Sequence, residues 1–95
     1  MSDQIKINSL ITVSKTAYGA QTGDEKVLMG VDSGLYYGVN SVGGQIWDEI
    51  QKALTVNELV ERLMERYEVE RTACEHQTLR YLSELRERGL ITISE

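Results

Sequence analysis

The sequence predicts an α+β fold in which three short strands precede three helices. Residues 1–40 carry alternating apolar side chains and most of the glycines, a pattern typical of strands and turns. From residue 41 onward, apolar side chains recur at helical spacing. A chain of 95 residues is long enough for one core, so a single domain over residues 1–95 is predicted.

Three strands are predicted, the first over Leu10–Val13, the second over Val27–Val31 and the third over Leu35–Val39. Residues Ala17–Asp24 contain two glycines and several small polar side chains, so this segment is predicted to be a loop. Asp32-Ser33-Gly34 has the composition of a turn, because Asp bonds its own backbone and glycine accepts a positive φ. The second and third strands are therefore expected to form a hairpin.

The third strand is the first candidate site. Its side chains alternate, so Leu35, Tyr37 and Val39 share one face, and Tyr36 and Gly38 share the other. One explanation is structural: one tyrosine covers the core while its neighbour faces solvent. The functional alternative is that this strand lies at a sheet edge, where unpaired backbone N–H and C=O groups accept an extended peptide beside the third helix.

Asn40 or Ser41 is expected to cap the first helix, in which apolar side chains follow at helical spacing. These side chains are Val42, Ile46, Trp47 and Ile50. The pair Gly43-Gly44 near the start of this helix indicates close backbone packing against the sheet, because each glycine otherwise costs about 1 kcal/mol relative to alanine.

The second helix is predicted to begin at a capping box, Thr55-Val56-Asn57-Glu58. Its apolar stripe consists of Val56, Leu59, Val60, Leu63, Met64 and Tyr67. The third helix is expected to begin at a second box, Thr72-Ala73-Cys74-Glu75, and to end before Gly89, which suits a C′ position. Its inner stripe consists of Cys74, Thr78, Tyr81, Leu82 and Leu85. Three helices with a small sheet also resemble a winged helix-turn-helix.

The charge balance disfavours a nucleic acid partner. Ten basic residues against fifteen acidic ones give a net charge of −5, whereas nucleic acid binding depends on neutralising phosphates with Lys and Arg. A helix-turn-helix would read DNA with the third helix, yet residues 70–88 hold four Glu and four Arg. A winged-helix DNA-binding regulator is therefore the alternative from another class, and its DNA binding would weaken steeply as salt rises.

The sequence contains no apparent catalytic or metal-binding set. Its one cysteine and one histidine, Cys74 and His76, lie two positions apart on a helix and point about 200° away from each other. One cysteine also excludes an intramolecular disulfide, which suits a reducing compartment. Neither a membrane span nor a signal peptide is recognisable. We therefore expect a cytoplasmic, non-catalytic binding module without a cofactor, a metal ion or a membrane partner.

Residues 34–47 read G-L-Y-Y-G-V-N-S-V-G-G-Q-I-W and resemble the PqqD family, whose pattern is roughly G-x-Y-Y-x-L-N-x-x-G-x-x-I-W. Val39 stands where the family usually has Leu, which is a mild departure. The segments Thr55–Leu59 and Leu82–Leu90 are also similar to that family. The resemblance covers about residues 25–91.

This resemblance implies a winged-helix-like fold with a three-stranded antiparallel sheet and three helices. It further implies a recognition element for ribosomally synthesised, modified peptides, which holds the leader segment of the precursor peptide. A stand-alone chain of this length is similar to the recognition proteins of lasso-peptide pathways, where the partner is a separate leader protease of the cysteine, transglutaminase-like kind. Other members of the family serve radical SAM enzymes, and the sequence does not decide between these settings.

The resemblance also implies where the leader binds. It is expected as an added strand beside the third strand, at Leu35, Tyr36, Tyr37, Gly38 and Val39. On the third helix we expect contacts from Gln77, Arg80, Tyr81 and Glu84. Either of the two neighbouring tyrosines could be the exposed aromatic anchor, and the face assignment above favours the first of them.

Overall fold

The computed structural model describes residues 4–22, 25–31 and 34–94. The strands are β1 (Leu10–Val13), β2 (Ala17–Thr22), β3 (Glu25–Gly30), β4 (Leu35–Val39), β5 (Leu54–Thr55) and β6 (Ile91–Ser94). The helices are α1 (Ser41–Glu49), α2 (Val56–Arg66) and α3 (Arg71–Glu87). The predicted α+β class and its three helices are confirmed.

Three consecutive strands form an antiparallel sheet in the order β2-β3-β4, which we call the meander. The predicted hairpin is confirmed as β3 and β4, which pair from Lys26↔Val39 to Gly30↔Leu35. Gly34 precedes β4 with a φ of 70°, a left-handed conformation that favours glycine. The predicted turn residues 32 and 33 lie outside the described residues.

The prediction of a loop at Ala17–Asp24 is wrong, because Ala17–Thr22 form strand β2 and pair with β3 along their whole length. The small residues that suggest a loop have a packing reason. A Cβ at Gly19 would lie 2.5 Å from the indole nitrogen of Trp47, so only glycine fits where this indole covers the strand. Residues 23 and 24 of the predicted loop lie outside the described residues.

The first predicted strand, β1, belongs to a different sheet from the hairpin. It is the central strand of a sheet in the order β5-β1-β6, which we call the terminal sheet. β1 pairs with β5 at Leu10↔Thr55 and with β6 from Leu10↔Ser94 to Val13↔Ile91, antiparallel in both cases. The strands therefore divide between two three-stranded sheets, and the first predicted strand does not extend the hairpin.

Local capping interactions start the first two helices. The backbone N–H of Gly43 donates to the side-chain oxygen of Asn40 at 2.8 Å, so Asn40 is the N-cap of α1. The predicted capping box of α2 is confirmed: the Glu58 backbone N–H donates to Thr55 Oγ1 at 3.2 Å, and the Thr55 N–H donates to Glu58 Oε1 at 2.8 Å.

The prediction that α3 begins at the box Thr72–Glu75 is wrong. The N-cap is Glu70, which makes no side-chain capping bond, and its carbonyl already accepts the Cys74 N–H at 2.9 Å. Helical bonding therefore starts before the predicted box. The C-terminal prediction is confirmed, because Gly89 has a φ of 73° and the Leu90 N–H donates to the Leu85 carbonyl at 2.9 Å.

One hydrophobic core joins the helices to both sheets. α1 packs on β3 and β4, α2 packs on α3 and β5, and α3 packs on β6. The largest fully buried apolar side chains are Ile11, Leu28, Ile50, Leu59, Leu82, Leu85 and Leu90. In the part of the chain that the structure describes, no helix is both long and apolar enough to cross a membrane.

Candidate functional site

Strand β4 has a neighbouring strand on one side only, as far as the described residues extend. The order β2-β3-β4 places β3 beside it, and β4 has no second pairing partner. In an antiparallel pair, alternate residues direct their N–H and C=O groups away from the neighbouring strand. The far side of β4 therefore presents a row of backbone donors and acceptors at strand spacing.

The side chains of β4 divide between solvent and core. Tyr36 is 70% exposed, whereas Tyr37 and Val39 are half-buried and pack against the core. Leu35 is 54% exposed although it shares the inward parity, since it stands at the start of the strand, beyond the core. A Cβ added at Gly38 would meet no atom within 4 Å, so the strand has open space on its outer face there.

Arg88 connects the end of α3 to the inner face of β4. Its guanidinium carbon lies 4.5 Å from the centroid of the Tyr37 ring. A cation over an aromatic ring at this distance stabilises by about 0.5–1 kcal/mol at an exposed site. The contact holds the C-terminal end of α3 beside β4 and borders the space between them.

A groove of about 580 Å³ opens between the end of β4 and the three helices. This volume is in the range of small-ligand pockets and is sufficient for a few side chains. The apolar part of its lining includes Val39, Val42, Ile46, Leu63, Tyr67, Val69 and Cys74. The polar part includes Asn40, Gln77, Thr78, Tyr81, Glu84 and Arg88. The groove thus offers both apolar surface and hydrogen-bonding groups to a ligand.

Five of the nine residues predicted for the site line this groove. They are Gly38 and Val39 on β4, and Gln77, Tyr81 and Glu84 on α3. The remaining residues of the predicted strand, at positions 35–37, belong to β4 but do not line the groove. The structure therefore brings one end of β4 and one face of α3 together around the same space.

Arg80 does not lie in the groove. Its side chain is exposed, and it is absent from the lining. At about 100° per residue, Arg80 lies about 60° around α3 from Gln77, on the side away from Tyr81. The residue predicted as a contact at position 80 therefore faces solvent.

Ten of the fifteen residues that line the groove are missing from the sequence-based set, and Arg88 and Val42 illustrate two different reasons. Arg88 follows Glu84 by four positions and Tyr81 by seven, so helical spacing alone was sufficient to find it. Val42 is 40% exposed on the first turn of α1 and lines the groove instead of the core. No local pattern marks this role of Val42, because it depends on how α1 stands against α3.

Tyr81 carries the one buried side-chain oxygen or nitrogen without a hydrogen-bond partner among the described residues. Its ring is half-buried, and a Cβ at Gly43 would lie 2.8 Å from the hydroxyl oxygen. Burial raises the pKa of the Tyr81 hydroxyl to about 12, Arg88 lowers it in part and Glu84 raises it further. The hydroxyl is therefore neutral at physiological pH, with a proton to donate.

Cys74 and His76 do not form a reactive pair. Cys74 is 5% exposed and its sulfur lies 3.9 Å from Thr78 Oγ1, whereas His76 is exposed on the other side of α3. Across the described ranges, no group of three or more His, Cys, Asp or Glu side chains could hold a metal ion.

An open strand edge beside a partly apolar groove defines a domain that can accept an extended segment of another chain. A family model described as Coenzyme PQQ synthesis protein D (PqqD) matches residues 25–91. The chain therefore belongs to the PqqD family. Among curated proteins, none matches the chain.

Two solved structures are similar over most of the chain. One is described as TbiB1 in complex with the TbiA(beta) leader peptide; it is 28% identical, with a TM-score of 0.78, over 84% of this chain and 93% of that one. The other is described as lasso peptide synthetase B1 complexed with the leader peptide; it is 26% identical, with a TM-score of 0.76, over 86% of this chain and 96% of that one. Both structures contain a leader peptide.

Proposed function

We propose that this protein binds the leader segment of a ribosomally synthesised precursor peptide and presents it to a separate processing enzyme of a lasso-peptide pathway. The single observation that carries the proposal is that β4, among the described residues, has a neighbouring strand on one side only and ends beside the groove. The similarity to two proteins whose structures contain leader peptides supports it.

The leader would bind as an additional strand along residues 35–39. Main-chain hydrogen bonds to the outward groups of β4 supply affinity that depends little on sequence. The five residues of β4 allow only a few such bonds, so further contacts are needed for specific recognition. These contacts would come from leader side chains that point from the added strand into the groove.

The lining of the groove indicates what those side chains are. An apolar anchor fits against Val42, Leu63, Tyr67 and Val69, where its burial stabilises by roughly 25 cal/mol per Å². Glu84 and Arg88 carry opposite charges at the same rim, so the groove has no uniform charge preference. The leader therefore needs an apolar side chain at the groove more than it needs a particular net charge.

The role of the protein in processing would be non-catalytic. Holding the leader beside an enzyme raises the local concentration of the precursor and fixes which bond reaches the active site. The partner proposed is a separate leader protease of the cysteine, transglutaminase-like kind. The alternative partner is a radical SAM peptide-modifying enzyme, which membership of the PqqD family leaves open. Pull-down of each enzyme class with the leader-loaded protein separates the two.

Strand addition can be tested with synthetic leader peptides whose sequences come from precursor genes adjacent to the gene of this protein. Each peptide carries one N-methylated backbone amide. Methylation removes a backbone donor, so affinity measured by fluorescence anisotropy should fall at every second position of the bound segment. The other positions should retain the affinity of the unmodified leader. A scrambled leader is the control for sequence recognition.

Hydrogen exchange locates the strand independently. Alternate amides within residues 35–39 should gain protection when the unmodified leader binds, since each acquires a carbonyl partner. Loss of affinity at consecutive methylated positions, or protection confined to another segment, would overturn strand addition on β4. Absence of binding by every leader from the gene neighbourhood would overturn the function itself.

A further inference from the structure

The Tyr81 hydroxyl is left without a hydrogen-bond partner in a position that other side chains define closely. The atom is buried, yet the described residues offer it neither a donor nor an acceptor. Buried polar groups are almost always bonded, so such an exception calls for a reason. Because Tyr81 lines the groove, a ligand bound there can supply the missing hydrogen-bond partner.

Gly43 makes this position of the hydroxyl possible. A Cβ at residue 43 would lie 2.8 Å from the Tyr81 oxygen, 3.1 Å from the ring carbon that carries it and 3.2 Å from the Cβ of Val39. Any larger residue would push the ring toward the groove. The first turn of α1 and the end of β4 thus leave a space in which the tyrosine rests in the free protein.

The chemistry around the hydroxyl favours an acceptor as its partner. The group keeps its proton at physiological pH and so can donate one hydrogen bond. The neighbouring apolar lining cannot accept it, and the polar side chains Gln77, Glu84 and Arg88 line the same groove without bonding to it. A bound peptide would bring carbonyl oxygens close to this ring.

We propose that Tyr81 is a leader-binding residue of the groove, whose hydroxyl turns from Gly43 and donates a hydrogen bond to an acceptor oxygen of the bound leader. The inference rests on the proposed function and deepens it. A leader that places an acceptor at this point gains a hydrogen bond that the free protein lacks, and a leader without one forgoes that gain. The acceptor is a carbonyl oxygen of the leader, in its main chain or in a side-chain amide or carboxylate.

The test is Tyr81→Phe in the full chain, with thermal unfolding of the free protein and leader affinity measured side by side. Removing an unpaired buried hydroxyl should raise the melting temperature of the free protein, whereas removing a bond made in the complex should weaken leader binding about tenfold. Tyr18→Phe is the matched control, because Tyr18 is 56% exposed on β2 and outside the groove. It should change neither quantity.

A leader alanine scan repeated with Tyr81→Phe identifies the acceptor. If an alanine at one leader position weakens binding to the unaltered protein but not to Tyr81→Phe, the side chain at that position is the acceptor. If Tyr81→Phe weakens binding and no leader position behaves in this way, the acceptor is a main-chain carbonyl. Unchanged leader affinity in Tyr81→Phe overturns the proposal. A lower melting temperature with proportionately weaker binding also overturns it, since this would mark a structural tyrosine. Failure of the unaltered protein to bind any leader counts against the proposed function instead.

Discussion

The meander and the terminal sheet contain three strands each, but they are assembled from different parts of the chain. The meander consists of consecutive strands, β2, β3 and β4, so each pairing closes a short connection. In the terminal sheet, residues 10–13 pair with residues 91–94 and with β5, and the helices lie between these segments along the chain. One sheet is local in sequence, and the other ties the two ends of the fold together.

The two sheets also differ in burial. At the centre of the terminal sheet Ile11 has no exposed surface, and Ile91 beside it is 2% exposed. In the edge strand of the meander, Leu35–Val39, every residue is exposed or half-buried. The difference is between a buried central strand and an exposed edge strand, because Leu28 in the meander's own central strand β3 is also fully buried. Substitutions should therefore separate stability from leader binding according to whether they affect the core or the β4 edge and its groove.

The largest effect is expected for Trp47→Ala, which removes the indole that covers β2. Trp47 is 3% exposed, so deleting it should lower the free energy of unfolding by about 3–5 kcal/mol, measured by chemical denaturation. Leader affinity of the folded fraction should be retained, because Trp47 does not line the groove. A Trp47→Ala protein that is stable but no longer binds leader would contradict this assignment.

A second comparison sets neighbouring residues of β1 against each other. Ile11→Ala should lower the free energy of unfolding by about 2–5 kcal/mol, since the side chain is fully buried in the terminal sheet. Leu10→Ala is the matched control: Leu10 is 38% exposed, and its loss should cost about 0.5 kcal/mol or less. Equal losses in the two variants would show that β1 does not alternate between core and solvent.

The two helix caps give a smaller and sharper contrast. Thr55→Ala and Asn40→Ala should each lower the free energy of unfolding by about 1 kcal/mol, because each removes a side-chain acceptor from a helix N-terminus. Only Asn40→Ala should also weaken leader binding, since Asn40 lines the groove and Thr55 belongs to the terminal sheet. Weaker leader binding in a folded Thr55→Ala protein would remove the distinction.

The smallest effect is a pH dependence at the N-terminus of α2, which begins next to the terminal sheet. Hydrogen bonds from the Thr55 backbone and side chain, with a smaller attraction from Arg62, lower the pKa of the Glu58 carboxyl. Its contribution to stability is therefore complete above the unfolded-state pKa and is lost as pH falls through the folded-state value. Glu58→Gln should reduce the decline in unfolding free energy between about pH 6 and about pH 3. An unchanged slope would refute this source of acid sensitivity.

The elements that sequence reasoning found are those whose information lies within a few residues. The caps at Asn40 and Thr55, the hairpin of β3 and β4, and the Gly89 terminus are specified in this way. Strand β2 could not be found from its own composition, because the reason for Gly19 is an indole twenty-eight positions later. The pairing of β1 with β6 was equally hidden, since no local pattern records it.

The candidate site shows the same limit. The strand motif predicted the position of the edge, whereas no sharp motif marks the groove face of α3. Three of the four contacts expected on that helix line the groove, and the exposed Arg80 does not. The role of Val42 followed only from the relative placement of two helices, which sequence spacing does not contain.

The pairing of β1 with β6 has a consequence for the order of folding. A bond from the Thr92 hydroxyl to the Thr12 carbonyl spans 80 positions, so the enclosed loop loses much conformational freedom when the pair forms. During synthesis β6 emerges after every other strand, and β1 has to wait for it. All three strands of the meander are synthesised before the helices, so its hairpins can form before β1 pairs with β6.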